Sequence, residues 1–191
     1  ATVSSGMNLT RTLAERAVAV SYETLPEEVR ALARQCVLDY LGVGLAGADD
    51  ELVRILLDEA SEAGGAAQAG VIGHAARLPM AAAALVNGAI AHALDYDDVN
   101  LAMPGHPSVA ILPALLALAE ARHAPGAAVI EAFVAGYELQ CRLGAALAPG
   151  HYDGRGFHAT ATIGSFRTIV SFDSTSASRN SALSAAVTLW A

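Results

Sequence analysis

Apolar positions recur every three to four residues along most of the chain, the period of helices that bury one stripe. Leu9, Leu13, Ala17 and Val20 predict a first helix. Thr24, Pro26 and Glu27 read as a capping-box start with proline at the first helical position. That second helix continues through Val29, Leu32, Cys36, Val37, Tyr40 and Leu41 to an end near Gly42–Gly47. Asp49 and Asp50 cap a third, with Leu52, Val53, Leu56, Leu57 and Ala60 on one face and a stop at Gly64-Gly65. The segment AGVIGHAARL is the only strand-like piece. Pro79 opens a buried helix to about His92, and Pro107 opens another that Pro113 either kinks or restarts. Residues 127–148 form a long amphipathic helix: Ile130, Phe133, Val134, Tyr137, Cys141 and Leu147 inward, Glu131 and Arg142 outward. Further helices are expected from near Thr160 and over about 177–190. With no sustained period-two alternation and no internal repeat, the fold class is all-α. Residues 9–191 form one helical domain, preceded by a disordered or artificial start at 1–8.

Composition sharpens this. The 191 residues are 54% hydrophobic and 16% charged, so the chain can bury enough apolar surface to offset its ordering entropy. Aromatics are 5% and alanine is roughly a fifth, which suits closely packed helices. The net charge of −8 and the absence of a basic patch exclude a nucleic-acid partner. Cys36 and Cys141 fall inside helical patterns and read as reduced, buried residues. Residues 78–94 and 99–119 lack Asp, Glu, Lys and Arg. Asn87, His92, Asn100, Pro104 and His106 nevertheless interrupt them, so a membrane partner is not expected. All eleven basic residues are arginine, which excludes a catalytic lysine from this chain.

Against this apolar background two polar islands stand out. The first, HALDYDDVNLAMPGHP at 92–107, gathers His92, Asp95, Asp97, Asp98 and His106 at a helix end. The negative end of a helix dipole is a poor place for unpaired carboxylates, so a cation, an imidazole or another helix N-terminus should offset them. The second, PGHYDGRGFHATA at 149–161, supplies His151, Arg155 and His158. Should the loops converge, a carboxylate base would meet imidazole acids and an arginine, a set suited to proton abstraction next to a carboxylate. The structural alternatives are plain. Asp97 and Asp98 can be turn or cap residues, His106 an N-cap, His92 and His74 packing or surface residues, His151 a surface residue and Arg155 an ion-pair partner. Asp95 to Asp98 also fits the D-x-D-D pattern of alkene-protonating helical cyclases, four residues of weak specificity.

Taken together, AALVNGAIAHALDYDD at 83–98, GHPSVAILPALLALAE at 105–120, FVAGYELQCRLG at 133–144 and HYDGRGFHATATIGSF at 151–166 resemble the MmgE/PrpD family, in order and spacing, over roughly residues 9–166. Activities in that family include 2-methylcitrate dehydration, cis-aconitate decarboxylation and iminodisuccinate epimerisation. The resemblance implies a helical domain joined to a lid domain, usually in a cytoplasmic homodimer acting on a small di- or tricarboxylate without metal or organic cofactor. By motif, Asp95, His106 and His158 match catalytic positions. His151 and Arg155 become candidates to hold a substrate carboxylate. On this basis a carbon–oxygen lyase (dehydratase) is the first expectation, decarboxylation and epimerisation sharing its proton-transfer step. A catalytically incomplete helical interaction module is the alternative from another class.

Three departures qualify the resemblance. Val99 stands where relatives often carry threonine, so a substrate hydrogen bond is put in doubt. Residues 167–176, RTIVSFDSTS, do not match the small-residue helix expected there. The chain is also less than half the usual family length, without the lysine-bearing segment or the lid domain, so the expectation is an incomplete site. Apolar faces left unpaired by such a truncation should favour self-association.

Overall fold

The computed structural model describes residues 9–164, and the expectations for 1–8, for 167–176 and for a helix over 177–190 lie outside the described residues. Seven α-helices dominate these residues: α1 (Leu9–Val18), α2 (Glu27–Gly47), α3 (Glu51–Ala63), α4 (Met80–His92), α5 (Pro107–Arg122), α6 (Gly126–His151) and α7 (Ala159–Thr162). Among the described residues the fold is all-α apart from one minute antiparallel hairpin, β1 (Ala69–Gly70) paired with β2 (Arg77–Leu78). Both strands come from the AGVIGHAARL segment.

Helices α2, α4, α5 and α6 make the centre, with α4 and α5 the most extensively packed pair. One core cluster joins Tyr40 of α2, Leu112 of α5 and Phe133 of α6. A second joins Val53 of α3, Val71 and Leu78 around the hairpin, and Val86 and Ile90 of α4. Buried Asn87 ties the hairpin to α4. Its side-chain oxygen accepts from the Ile72 N–H at 2.9 Å, and its amide donates to the Gly70 carbonyl at 2.9 Å. Paired this way, both halves of the buried amide avoid a desolvation cost of about 1–3 kcal/mol.

The helix ends follow local chemistry with some corrections. Asp50 caps α3, accepting the Leu52 N–H at 2.8 Å, and Gly64 ends that helix at φ +67°. At the start of α2 no capping box forms. Thr24 lies in a 3₁₀ turn (Tyr22–Thr24), donating its hydroxyl to the Ser21 carbonyl, and Pro26 precedes the first helical residue. Glu27 turns outward to Arg30 and Arg34 instead. Pro113 neither restarts nor ends α5, which runs unbroken from Pro107 to Arg122. The proline ring is buried and rests 3.5 Å from the space beside Gly88 of α4. Helix α6 runs three residues into the second polar island, to His151.

Two residues read as core-facing point outward: Leu52 and Leu147 are exposed. Glu131, read as outward, is half-buried and accepts the Tyr22 N–H at 3.0 Å. Leu32, Leu38 and Leu45 of α2, with Leu85 of α4, are exposed at 60–71%. No helix among the described residues is long and apolar enough to cross a membrane. Cys36 and Cys141 are free thiols, half-buried.

Candidate active site

The acidic loop hangs between two buried helices, leaving at the C-terminus of α4 and rejoining at the N-terminus of α5. His92 is the last residue of α4. Asp95 takes a left-handed φ of +52°, a conformation aspartate tolerates better than most residues, and its N–H donates to the His92 carbonyl at 3.2 Å. That turn brings Asp95 back towards the imidazole it follows. Farther on, the Asn100 N–H donates to the Gly105 carbonyl at 3.0 Å, closing the loop, while fully buried Met103 packs with Ala159, Ile163 and Leu143.

Each of the three aspartates has a separate task. Asp98 serves α5: its carboxylate accepts the Ser108 N–H at 3.1 Å and the Ser108 hydroxyl at 2.8 Å. It therefore does the capping that His106 leaves undone, for His106 occupies the N-cap position without a side-chain cap bond. Asp97 is buried, at 4% exposure, and faces both rings. Its Oδ1 lies 2.9 Å from His92 Nδ1 and 3.3 Å from His106 Nδ1. Asp95 is open to solvent, its side chain 76% exposed, with Oδ1 3.4 Å from His106 Nε2 and 4.0 Å from His92 Nε2. The two rings stand edge to face, centroids 5.0 Å apart.

This alternation has a chemical consequence. Carboxylate and carbonyl oxygens only accept, so His92 directs an Nδ1–H at the Asp97 carboxylate and His106 directs one at the Asp97 main-chain carbonyl, 3.2 Å away, leaving both Nε2 atoms on the side of exposed Asp95. Ligand atoms of His92, Asp95, Asp97 and His106 all lie within 4.8 Å of one another, so the same four residues could hold a proton or a metal ion.

The surroundings are poor in alternative nucleophiles. Burial pushes the Cys36 thiol up, helped by the charge of Asp98, and burial likewise raises Cys141. Both remain protonated thiols at neutral pH. Burial raises Asp98 too, partly offset by its Ser108 hydrogen bonds and reinforced by the charges of Asp97 and Asp39. Tyr137, 3.4 Å from Asp98, is pushed up to about 12, mainly by burial.

The second island reaches the first through its backbone neighbours. The His106 N–H donates to Thr160 Oγ1 at 3.0 Å, which seats the start of α7 against the acidic loop. His158 is the exposed N-cap of α7, its ring beside Tyr152. His151 turns to Thr162 Oγ1 at 2.5 Å and to the Phe157 ring. Arg155 and Val99 are exposed. Thus Asp95 and His106 stand together, whereas the described contacts of His151 and His158 lie within the second island and α7. His92 and Asp97, read from sequence as packing and turn residues, are central members of the cluster. The signal available for them was position alone: a histidine in the last turn of a helix, three residues before the first aspartate.

A helical domain with a paired-imidazole, paired-carboxylate cluster at one connection is the class these features define. The chain belongs to the MmgE/PrpD family, whose N-terminal domain matches residues 11–187. Among curated relatives, the cis-aconitate decarboxylase-like protein oryM of Aspergillus oryzae is 29% identical over 168 residues, 83% of this chain and 34% of that protein. The cis-aconitate decarboxylase of Homo sapiens is 36% identical over 124 residues, 62% of this chain and 26% of its own length. That of Aspergillus terreus is 28% identical over 151 residues, 74% of this chain and 30% of its own. The chain thus spans about a third or less of the length of these relatives.

Proposed function

We propose that this chain carries the acid–base cluster of a lyase acting on a small polycarboxylate. The carrying observation is that Asp97 engages both imidazoles, its buried carboxylate bonding His92 Nδ1 and its main-chain carbonyl bonding His106 Nδ1, which presents two Nε2 atoms beside exposed Asp95. His106 Nε2, beside exposed Asp95, is the proton carrier of this reading. His92 and Asp97 are positioning residues.

Two reactions need such a carrier. In decarboxylation the carbon–carbon bond to one carboxylate breaks, carbon dioxide leaves, and the retained electron pair is protonated at carbon by imidazolium. In dehydration a base removes a proton next to a carboxylate, and imidazolium protonates the departing hydroxyl. The relatives named as cis-aconitate decarboxylases favour the first, so cis-aconitate takes precedence over 2-methylcitrate as the substrate to try. Epimerisation of iminodisuccinate would use the same proton transfer.

Proton NMR in D2O with each of the three substrates tests the reading. We expect product, or deuterium at the carbon next to a carboxylate, reduced about 10²–10⁴-fold in His106→Gln. Absence of both with every substrate would favour the second reading, a helical interaction module. The exposed leucines of α2 are the observation that speaks for it.

A further inference from the structure

We infer that Thr160 of α7 is a positioning residue for His106: its hydroxyl oxygen holds the main chain of the proton carrier and thereby sets where His106 Nε2 stands. The catalytic meaning of this role rests on the lyase reading, while the positioning itself stands on geometry.

His106 sits where the acidic loop becomes α5. At the N-cap position, with φ −108° and ψ 90°, its N–H lies outside the helix and needs an acceptor from elsewhere. That acceptor is Thr160 Oγ1 at 3.0 Å, 54 residues farther along the chain. The ring has its own fastening, Nδ1 donating to the Asp97 carbonyl at 3.2 Å. One hold at the main chain and one at the ring leave Nε2 facing Asp95 Oδ1 at 3.4 Å. Pro107 alone would not fix this pose. A residue before proline is confined to extended backbone but keeps a range of about ±40° in φ, wide enough to swing the ring away from Asp95.

Thr160 is itself well seated. Ala159 and Ile163, on either side of it, are buried in one cluster with Met103 of the acidic loop. A methyl built on Gly164 would lie 2.7 Å from Ala110 of α5, so the end of α7 is pressed onto that helix. A methyl on buried Gly105 would lie 2.8 Å from Thr160 Oγ1 and 3.0 Å from the Thr160 nitrogen, so the residue before His106 is in close contact with Thr160 as well. The neighbouring threonine shows the alternative. Thr162 donates its hydroxyl to the His158 carbonyl at 2.8 Å, the local bond to the preceding turn that helical threonines commonly make. Thr160 reaches across to another element instead.

A group that transfers protons is sensitive to such support, because a misplacement of about 1 Å can cost about 10²-fold in rate. The experiment compares the parent chain with Thr160→Val, which keeps the shape and removes the acceptor, and with Thr160→Ser, which restores it. In NMR spectra of the ring protons, the His106 signals should move in Thr160→Val and return in Thr160→Ser. Those of exposed His123, at the far end of α5, should stay in place throughout. With whichever substrate gives product, kcat should fall roughly 10–100-fold in Thr160→Val with KM little changed, and Thr160→Ser should recover most of the loss. A purely structural threonine would lower stability without that split. His106 signals that stay in place in Thr160→Val, or a kcat that stays at the parent value, overturn the inference. A parent chain without turnover counts against the lyase reading instead, and the ring signals then decide on Thr160. Circular dichroism checks the fold of each variant, and Thr160→Ala, equally without an acceptor, replaces a valine variant that fails that check.

Discussion

The two polar islands contain similar chemistry and are built in opposite ways. Between His92 and Pro107 the titratable groups are interlocked: Asp98 caps α5, Asp97 joins two imidazoles, and Asp95 is held by a turn onto the His92 carbonyl. Between His151 and His158 most side chains are exposed and their contacts are local. Both lie at helix ends, and the difference is anchorage. The first loop is fixed at each end by helices of the central bundle and pinned midway by Met103. The second joins the exposed end of α6 to the start of α7. Titratable residues at a helix end become a preorganised device only where the connecting backbone is itself immobilised.

In fold stability, the largest break should come at the pin. Gly144 of α6 lies against Met103, and a methyl there would overlap both the Met103 side chain and its backbone. Gly144→Ala should therefore cost about 3 kcal/mol in chemical denaturation, because backbone cannot move aside as a flexible side chain can. The matching change in the second island, Gly156→Ala, meets no neighbour and pays only for its φ of +70°, about 1 kcal/mol. Equal costs at both sites would remove the distinction between a pinned loop and a loose one.

Next comes Asp97→Ala. It strips His92 of its acceptor and takes the adjacent charge from His106, whose bond to the main-chain carbonyl at 97 remains, and we expect a loss of about 2 kcal/mol. NMR spectra of the histidine ring protons check the cause: the His92 and His106 signals should both move in the variant, with those of His151 in place. Coupling to one ring alone would dissolve the paired arrangement.

How much of this was legible from sequence depended on whether the signal was local. The caps at Asp50 and Gly64, the buried stripe of α4 and the start of α5 at Pro107 rest on neighbours within a turn, and they were readable. The capping box at Thr24 failed because a 3₁₀ turn claimed the hydroxyl first. Leu52 has helical spacing but faces solvent, since spacing defines a stripe and tertiary packing decides which edge of it is covered. At the site, the convergence of Asp95 on His106 came only through family motifs. The roles of His92 and Asp97 were hidden because they arise from a left-handed residue at 95 and from two helix ends meeting across the loop.

A smaller effect separates Asp98 from its neighbour. Burial raises its pKa in the folded state, so the fold binds that proton more readily than the unfolded chain does. Stability should then fall as pH rises from the ordinary carboxylate range through the folded pKa, and level off above it. Asp98→Asn removes this titration while keeping an acceptor for the Ser108 N–H. The stability difference, parent minus variant, should decline across that window in denaturation series at stepped pH. A difference that rises with pH would mean that the Ser108 bonds, not burial, control the group.

Arg155→Ala should change stability least, within about 0.5 kcal/mol, because the residue is exposed. It sharpens the comparison most, because it asks whether the loose island has any part in chemistry. If Arg155 holds a carboxylate of an anionic substrate, removing the guanidinium takes away a charge-assisted bond of about 1.5–3 kcal/mol. KM would then rise roughly 10–100-fold with kcat little changed, a split that a structural role cannot produce. The chain's net charge of −8 makes such a local cation more valuable to an anionic ligand. An unchanged KM would leave Arg155 a solvated surface residue. The pinned loop would then have to act without it.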